Sequence, residues 1–185
     1  MKTLGTDAAL HPVVAPIAQA IADDRVTTLA AVLSRLCAQG ALGPELFLPP
    51  RPERYARNLV WLDPGKRFVV VGMTWAVGQG SPLHDHAGLW GAEIVVDGVM
   101  NETTFALLER SQDGRYRFER SVHRVSGSGA IGILNPPLEY HEFGNGGSTV
   151  AHTLHVYSGD LRSAQCFAQD SDGWWTARRV NLSYA

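Results

Sequence analysis

At 185 residues, with 45% hydrophobic and 18% charged, the chain has the composition of a folded globular protein long enough to bury a substantial core. Its formal net charge of −2 argues against a nucleic-acid or anionic-membrane surface. Two cysteines, Cys37 and Cys166, make no disulfide framework, no secretory signal or membrane-length apolar run is evident, and a cytoplasmic location is expected.

Residues 1–10 are expected to fray. From Pro12, the residues Val13, Val14, Ile17 and Ile21 recur at helical spacing, with Pro16 suited to a first turn. Asp23 or Asp24 is the expected cap of a second helix, whose apolar face is Val26, Leu29, Val32, Leu33 and Leu36 and whose stop is Gly40. Both helices are expected to pack outside a sheet. Pro44, Pro49, Pro50 and Pro52 then break the chain into loop or single turns. Beyond them, strands are predicted over 55–62, 68–75, 83–86, 91–97, 100–108, 116–125, 130–134, 139–143, 149–157 and 166–168. Hairpin signals stand at Asp63-Pro64-Gly65, Asp97-Gly98, Asp113-Gly114 and Asn145-Gly146-Gly147. The expected fold is mainly β: an antiparallel barrel behind two short N-terminal helices. A single domain over 1–185 is expected, with the helices in 12–40 and the barrel core in 54–168.

Within this pattern, Gly78-Gln79-Gly80-Ser81-Pro82-Leu83-His84-Asp85-His86 stands out. On a strand, side chains two apart share a face, so His84 and His86 would converge on one point inside a barrel. Gly78, His84, His86 and Gly98 follow the spacing of the first cupin motif, and Pro136, His141 and Asn145 that of the second. The resemblance to cupins, which are double-stranded β-helix barrels, covers roughly residues 69–157. The usual cupin carboxylate ligand falls here on Trp90 or Gly91, while nearby Glu93 is not excluded by its alternation. The site therefore reads as three neutral histidines, His84, His86 and His141, which leave a divalent metal its full charge and open positions. Imidazole ligation alone does not choose among Fe, Ni, Cu and Zn.

Three further segments narrow the resemblance. They are Tyr55-Ala56-Arg57-Asn58-Leu59-Val60, the spacing from Trp75 to His84-Asp85-His86, and Thr153-Leu154-His155-Val156-Tyr157-Ser158. Together, from about residue 54 to 167, the chain resembles the cysteine dioxygenase family of cupin-fold thiol dioxygenases. The resemblance implies a mononuclear non-haem Fe(II) enzyme that adds O2 to the sulfur of a small thiol to give a sulfinate. It implies His84, His86 and His141 as iron ligands, and Arg57 with Tyr55 as the holders of the substrate carboxylate. Tyr157 would stand beside the substrate, with His155 and Thr153 behind it. These roles make physical sense: a guanidinium fork matches a carboxylate, and anchoring the far end of a small substrate aligns its sulfur. Other readings stand beside them, with Arg57 a surface residue next to Arg51 and Arg54, and His155 and Tyr157 an ordinary core pair. Trp75 and Trp90 are expected as cavity wall, His152 as exposed or structural, Cys166 as packing, and His11 and His123 as unrelated to the site.

The chain also departs from its relatives. Gly91 stands where animal cysteine dioxygenases carry the cysteine that cross-links to the tyrosine matching Tyr157, so that cross-link cannot form. Thr153 replaces a serine and keeps its hydroxyl. Gly159 stands where cysteine-specific members have proline and resembles relatives acting on 3-mercaptopropionate, whereas Arg57 points to L-cysteine. Mercaptosuccinate is a further option, with Arg162 as a second carboxylate partner. The competing functions are another metal-dependent cupin dioxygenase and a non-enzymatic cupin that binds a small ligand.

Overall fold

The computed structural model describes residues 12–23, 25–136 and 140–184. Two helices, α1 (Val14–Ala22) and α2 (Val26–Ala38), and a 3-10 turn at Pro44–Leu46 precede eleven strands. These are β1 (Ala56–Leu62), β2 (Val69–Trp75), β3 (Gly80–His84), β4 (Gly91–Asp97), β5 (Met100–Arg110) and β6 (Tyr116–Ser126), followed by β7 (Ile131–Leu134), β8 (Tyr140–Asn145), β9 (Ala151–Tyr157), β10 (Ser163–Gln169) and β11 (Trp175–Asn181). One sheet has the order β1-β2-β9-β4-β7. The other runs β10-β11-β6-β5-β8-β3 and closes where Cys166 of β10 pairs with His84 of β3. All pairings are antiparallel, and the fold is the mainly β cupin barrel with a short helical front.

Alternation along the first sheet decides which residues reach the interior. On β2, Val69, Val71, Met73 and Trp75 join the inner cluster, while Val70 turns outward. Leu154 and Val156 of β9 and Ala92 and Ile94 of β4 also turn outward, where they pack with Ile17, Leu29, Val32 and Leu33 of the helices. Both faces of β2 are thus covered, and this explains its unbroken run of valines. The same alternation leaves Gly91 and Glu93 of β4, and Thr153, His155 and Tyr157 of β9, on the inner rows. Burying a side chain such as Leu29 or Leu33 contributes about 1.5–3 kcal/mol.

The proline-rich loop crosses the outer face of β1 and β2. Asn58 Nδ2 donates to the Leu46 carbonyl at 2.9 Å and Thr74 Oγ1 to the Leu48 carbonyl at 2.7 Å. Gly72 permits this close approach, because a Cβ there would stand 2.0 Å from the Leu46 oxygen. Gly72→Ala is expected to destabilise the chain by at least about 2 kcal/mol, read from the midpoint of urea unfolding; an unchanged midpoint would refute the packing described.

Several expectations need correction. The N-cap of α2 is Arg25, without a side-chain cap, and Asp23 instead closes α1; Asp24 lies outside the described residues, as do residues 1–11 and Glu139. Gly40, at φ +66, follows the end of α2 as expected. Asp97-Gly98 and Asn145-Gly146-Gly147 do not join hairpin partners. Each carries the chain from one sheet to the other, since β4 pairs with β9 and β7 while β5 pairs with β6 and β8. Strand β3 ends at His84, so His86 is not on it, and β11 lies beyond the last predicted strand. Among the described residues no helix is long and apolar enough to cross a membrane.

Candidate metal centre and substrate cavity

The glycine-rich stretch delivers its histidines by two different routes. His84 ends β3 directly opposite His141 of β8, which places both rings on one face of the pair. His86 lies past the strand end, where Asp85 anchors the chain: its N–H donates to the Gln165 carbonyl at 3.0 Å, and its Oδ1 accepts from the Gln165 N–H at 2.8 Å. A following turn with Ala87 and Gly88 at positive φ then leads into β4. The ring centroids come to 4.9 Å for His84–His86, 4.8 Å for His84–His141 and 5.0 Å for His86–His141. One nitrogen from each lies within 4.8 Å of the others, a spacing that could hold one metal ion.

The protonation of these rings suits a metal. His84 Nδ1 sits 2.9 Å from the Pro82 carbonyl, so Nδ1 carries the proton and Nε2 offers its lone pair. Burial pushes the His84 pKa down to about 3, with His141 adding to the push, and the ring is neutral near pH 7. His141 Nδ1 lies 3.2 Å from Glu102 Oε1 and 3.9 Å from Glu93 Oε1. Burial lowers its pKa, but the Glu102 hydrogen bond and the two carboxylates outweigh that and hold it raised. Glu93, Glu102 and His141 form a second group with ligand atoms within 4.8 Å of one another. When His141 turns Nε2 to the histidine set, Glu102 serves as the hydrogen-bond partner of its other nitrogen, with the Glu93 carboxylate further off at 3.9 Å. Three convergent imidazoles, with Nδ1 of His84 and of His141 engaged by other partners, fit a divalent transition metal.

A cavity of about 70 Å³ opens beside His84 and His86, lined also by Tyr55, Arg57, Tyr157 and Cys166. That is room for a small molecule. Arg57 is 6% exposed, its Nη1 has no hydrogen-bond partner, and no carboxylate lies within ion-pair distance among the described residues. Its guanidinium faces the Tyr184 ring at 5.1 Å. A buried cation without a counter-ion is unfavourable by itself and is relieved when an anion enters. Tyr55 stacks on Trp75 at 4.2 Å, and burial pushes its phenol pKa up, partly offset by Arg57.

The inner row of β9 forms a buried relay. Tyr157 Oη lies 3.1 Å from His155 Nδ1, and His155 Nε2 lies 2.7 Å from Thr153 Oγ1, which accepts from Trp75 Nε1 at 2.8 Å. The Tyr157 ring stacks on His86 at 5.6 Å, and burial holds its phenol well above the usual range, so the hydroxyl keeps its proton. Glu93 Oε2 lies 3.0 Å from His155 Nδ1. Burial raises the Glu93 pKa, but His155 and His141 outweigh it and hold the carboxyl below its usual range.

Other candidates fall elsewhere. Arg162 is exposed, pairs with Asp160 at 2.7 Å and does not line the cavity. Trp75 and Trp90 do not line it either; Trp75 serves the relay, and Trp90 packs near the helices. His152 packs at 4.8 Å from Phe47, and His123 is exposed and bonded to Thr103. Cys166 does line the cavity, and burial pushes its thiol up, away from the reactive range. Gly159 adopts φ +151, a conformation that proline's fixed φ cannot reach, and lies outside the cavity lining. Glu102 and the C-terminal Leu182 and Tyr184 carry no sequence signal of a place at the site. Only Glu93 gave a signal, a charge at an inward position of β4 between Gly91 and Val95.

Two facing antiparallel sheets around a three-histidine cluster define a cupin with a candidate metal centre. Within the cupins, this chain belongs to the cysteine dioxygenase type I family, whose model matches residues 21–170. It is 29% identical over 121 residues to cysteine dioxygenase type 1 of Homo sapiens, covering 63% of this chain and 56% of that protein. It is 32% identical over 122 residues to the Danio rerio protein of that name, covering 63% and 57%. The chain thus spans a little over half the length of these curated relatives. It is also similar to the crystal structure of an uncharacterized protein with a double-stranded β-helix domain from Klebsiella pneumoniae, at TM-score 0.46 and 19% identity over 63% of this chain and 87% of that one.

Proposed function

We propose that this chain is a thiol dioxygenase. It converts a small carboxylate-bearing thiol, L-cysteine or 3-mercaptopropionate or a related mercapto-acid, to its sulfinate with O2, using Fe(II) held by His84, His86 and His141. The observation that carries the reading is the cavity itself, lined by His84 and His86 and by Arg57, whose guanidinium has no carboxylate partner among the described residues. Iron bound by the histidines would supply the oxygen chemistry, and the protein supplies position and exclusion of water.

In this reading Arg57 pairs with the substrate carboxylate, and Tyr55 stands beside it. Fixing that end of a small molecule leaves the thiol few positions other than beside the histidines, so binding energy becomes alignment. Tyr157, neutral and buried, is the hydrogen-bond donor beside the thiol sulfur, its hydroxyl held by His155, which is itself bonded to Thr153. Of the two conflicting substrate markers, Arg57 touches the cavity and Gly159 does not, which supports recognition of a carboxylate without choosing the thiol. A reducing cytoplasm, which keeps Cys37 and Cys166 free and the thiol substrate reduced, fits this reading.

The test is oxygen uptake by Fe(II)-loaded protein offered L-cysteine, 3-mercaptopropionate and mercaptosuccinate in parallel, with sulfinate quantified. Uptake matched one to one by sulfinate with at least one thiol is expected. No uptake with any of them, in protein carrying iron, would leave a different cupin reaction or a binding role.

A further inference from the structure

Glu93 is explained neither by the histidine set nor by the cavity lining. It stands on the inner row of β4, 3% exposed, with Oε2 3.0 Å from His155 Nδ1 and Oε1 3.9 Å from His141 Nδ1. Neither carboxylate oxygen has a well-aligned hydrogen bond among the described residues, so the His155 contact is close but off the hydrogen-bond axis. A buried carboxylate in such a position is costly unless its charge does something for its neighbours.

The neighbour with a choice to make is His155. A neutral imidazole carries one proton, on Nδ1 or on Nε2. At Nε2, Thr153 cannot decide between them. Its oxygen accepts the Trp75 N–H, but it retains both a proton to give and a lone pair to offer. At Nδ1, the aligned partner is the Tyr157 hydroxyl at 3.1 Å, which can also play either part. Glu93 breaks the tie. A lone pair on Nδ1 would face a carboxylate oxygen at 3.0 Å and be repelled, whereas an N–H there is attracted. With the proton on Nδ1, the Tyr157 oxygen accepts from His155, and the phenol proton is free to point into the cavity. With the proton on Nε2, Tyr157 donates to Nδ1 and its proton points away from the cavity.

We propose that Glu93 is a positioning residue that holds His155 as the Nδ1–H tautomer and so directs the Tyr157 hydroxyl proton toward the bound substrate. The consequence for turnover rests on the thiol dioxygenase reading; the tautomer does not. The test is histidine 15N NMR on the metal-free full-length chain, with the His155 signals assigned by their loss in His155→Asn. The wild-type spectrum is expected to show His155 protonated at Nδ1. Glu93→Gln should populate the Nε2–H form, and Glu93→Asp, which keeps the charge, should restore Nδ1–H in part. In iron-loaded protein Glu93→Gln should lower kcat about 10- to 100-fold while KM for the thiol stays within about twofold. A wild-type His155 protonated at Nε2 would overturn the proposal, as would an unchanged Nδ1–H tautomer in Glu93→Gln. Absence of thiol-dependent uptake in the wild type would instead overturn the dioxygenase reading, and the NMR result would still decide the role of Glu93.

Discussion

Replacing His141 with alanine is expected to abolish stoichiometric metal binding and, with it, all thiol-dependent oxygen uptake. Among the described residues, the three imidazoles make up the set of convergent donors around the point shared by His84, His86 and His141, and two of them cannot enclose an ion as three do. Metal affinity should fall by more than the roughly 10- to 100-fold typical of losing an outer hydrogen-bond partner. Glu102→Gln provides that milder comparison, since it weakens only the carboxylate that faces His141 Nδ1 at 3.2 Å. Metal content after dialysis against a graded chelator series ranks the variants. A His141→Ala protein that keeps iron as tightly as the wild type would remove His141 from the centre. The second donor group, Glu93, Glu102 and His141, makes the comparison informative: if metal sat there, Glu102→Gln would cost about as much affinity as His141→Ala instead of far less.

Arg57→Met is expected to separate stability from function. The substitution removes a buried guanidinium that has no counter-ion among the described residues, so thermal stability should hold or rise. Turnover should move the other way. Removing one partner of a desolvated charge pair costs about 2–4 kcal/mol, roughly 30- to 1,000-fold in kcat/KM. Most of the loss should appear as a raised KM, because the carboxylate is held alike before and during reaction. Melting curves and steady-state kinetics on one preparation decide the matter. Lower stability with unchanged kinetics would mean that Arg57 is a structural residue and that the cavity holds something other than an acid.

The sequence made the barrel legible for a simple reason. Strands such as β2 and β9 carry alternating or continuous apolar runs, and the turn residues between them are glycine, proline, asparagine and aspartate. Turn chemistry does not reveal which strands pair, and both Asp97-Gly98 and Asn145-Gly146-Gly147 therefore looked like hairpins when they are crossings between sheets. The second case has a visible cause. Asn145 Nδ2 donates to the carbonyls of Trp75 and Thr149, and its Oδ1 accepts from Gly147, which ties the crossing to the neighbouring strand.

At the site, the three histidines singled out by spacing do come together, but His86 does so by a route that strand alternation does not give. It converges because Asp85 anchors the chain to Gln165, not because it shares a strand face with His84. Residues whose roles depend on partners far along the chain were beyond reach. Arg162 looked available until its 2.7 Å contact with Asp160 appeared, and Tyr184, which faces Arg57, lies in an irregular C-terminal segment with no periodic signal. From its sequence position Glu93 is not excluded as a metal ligand, and the structure puts its closest approach at His155.

The central claim is that both atoms of one O2 molecule reach the sulfur of a small thiol acid. It is tested most directly by running the iron-loaded protein under 18O2 with whichever thiol supports uptake and weighing the product. The proposed function predicts a sulfinate in which both new oxygens carry the label. A product labelled at one oxygen only, or a disulfide with no label at all, would contradict it.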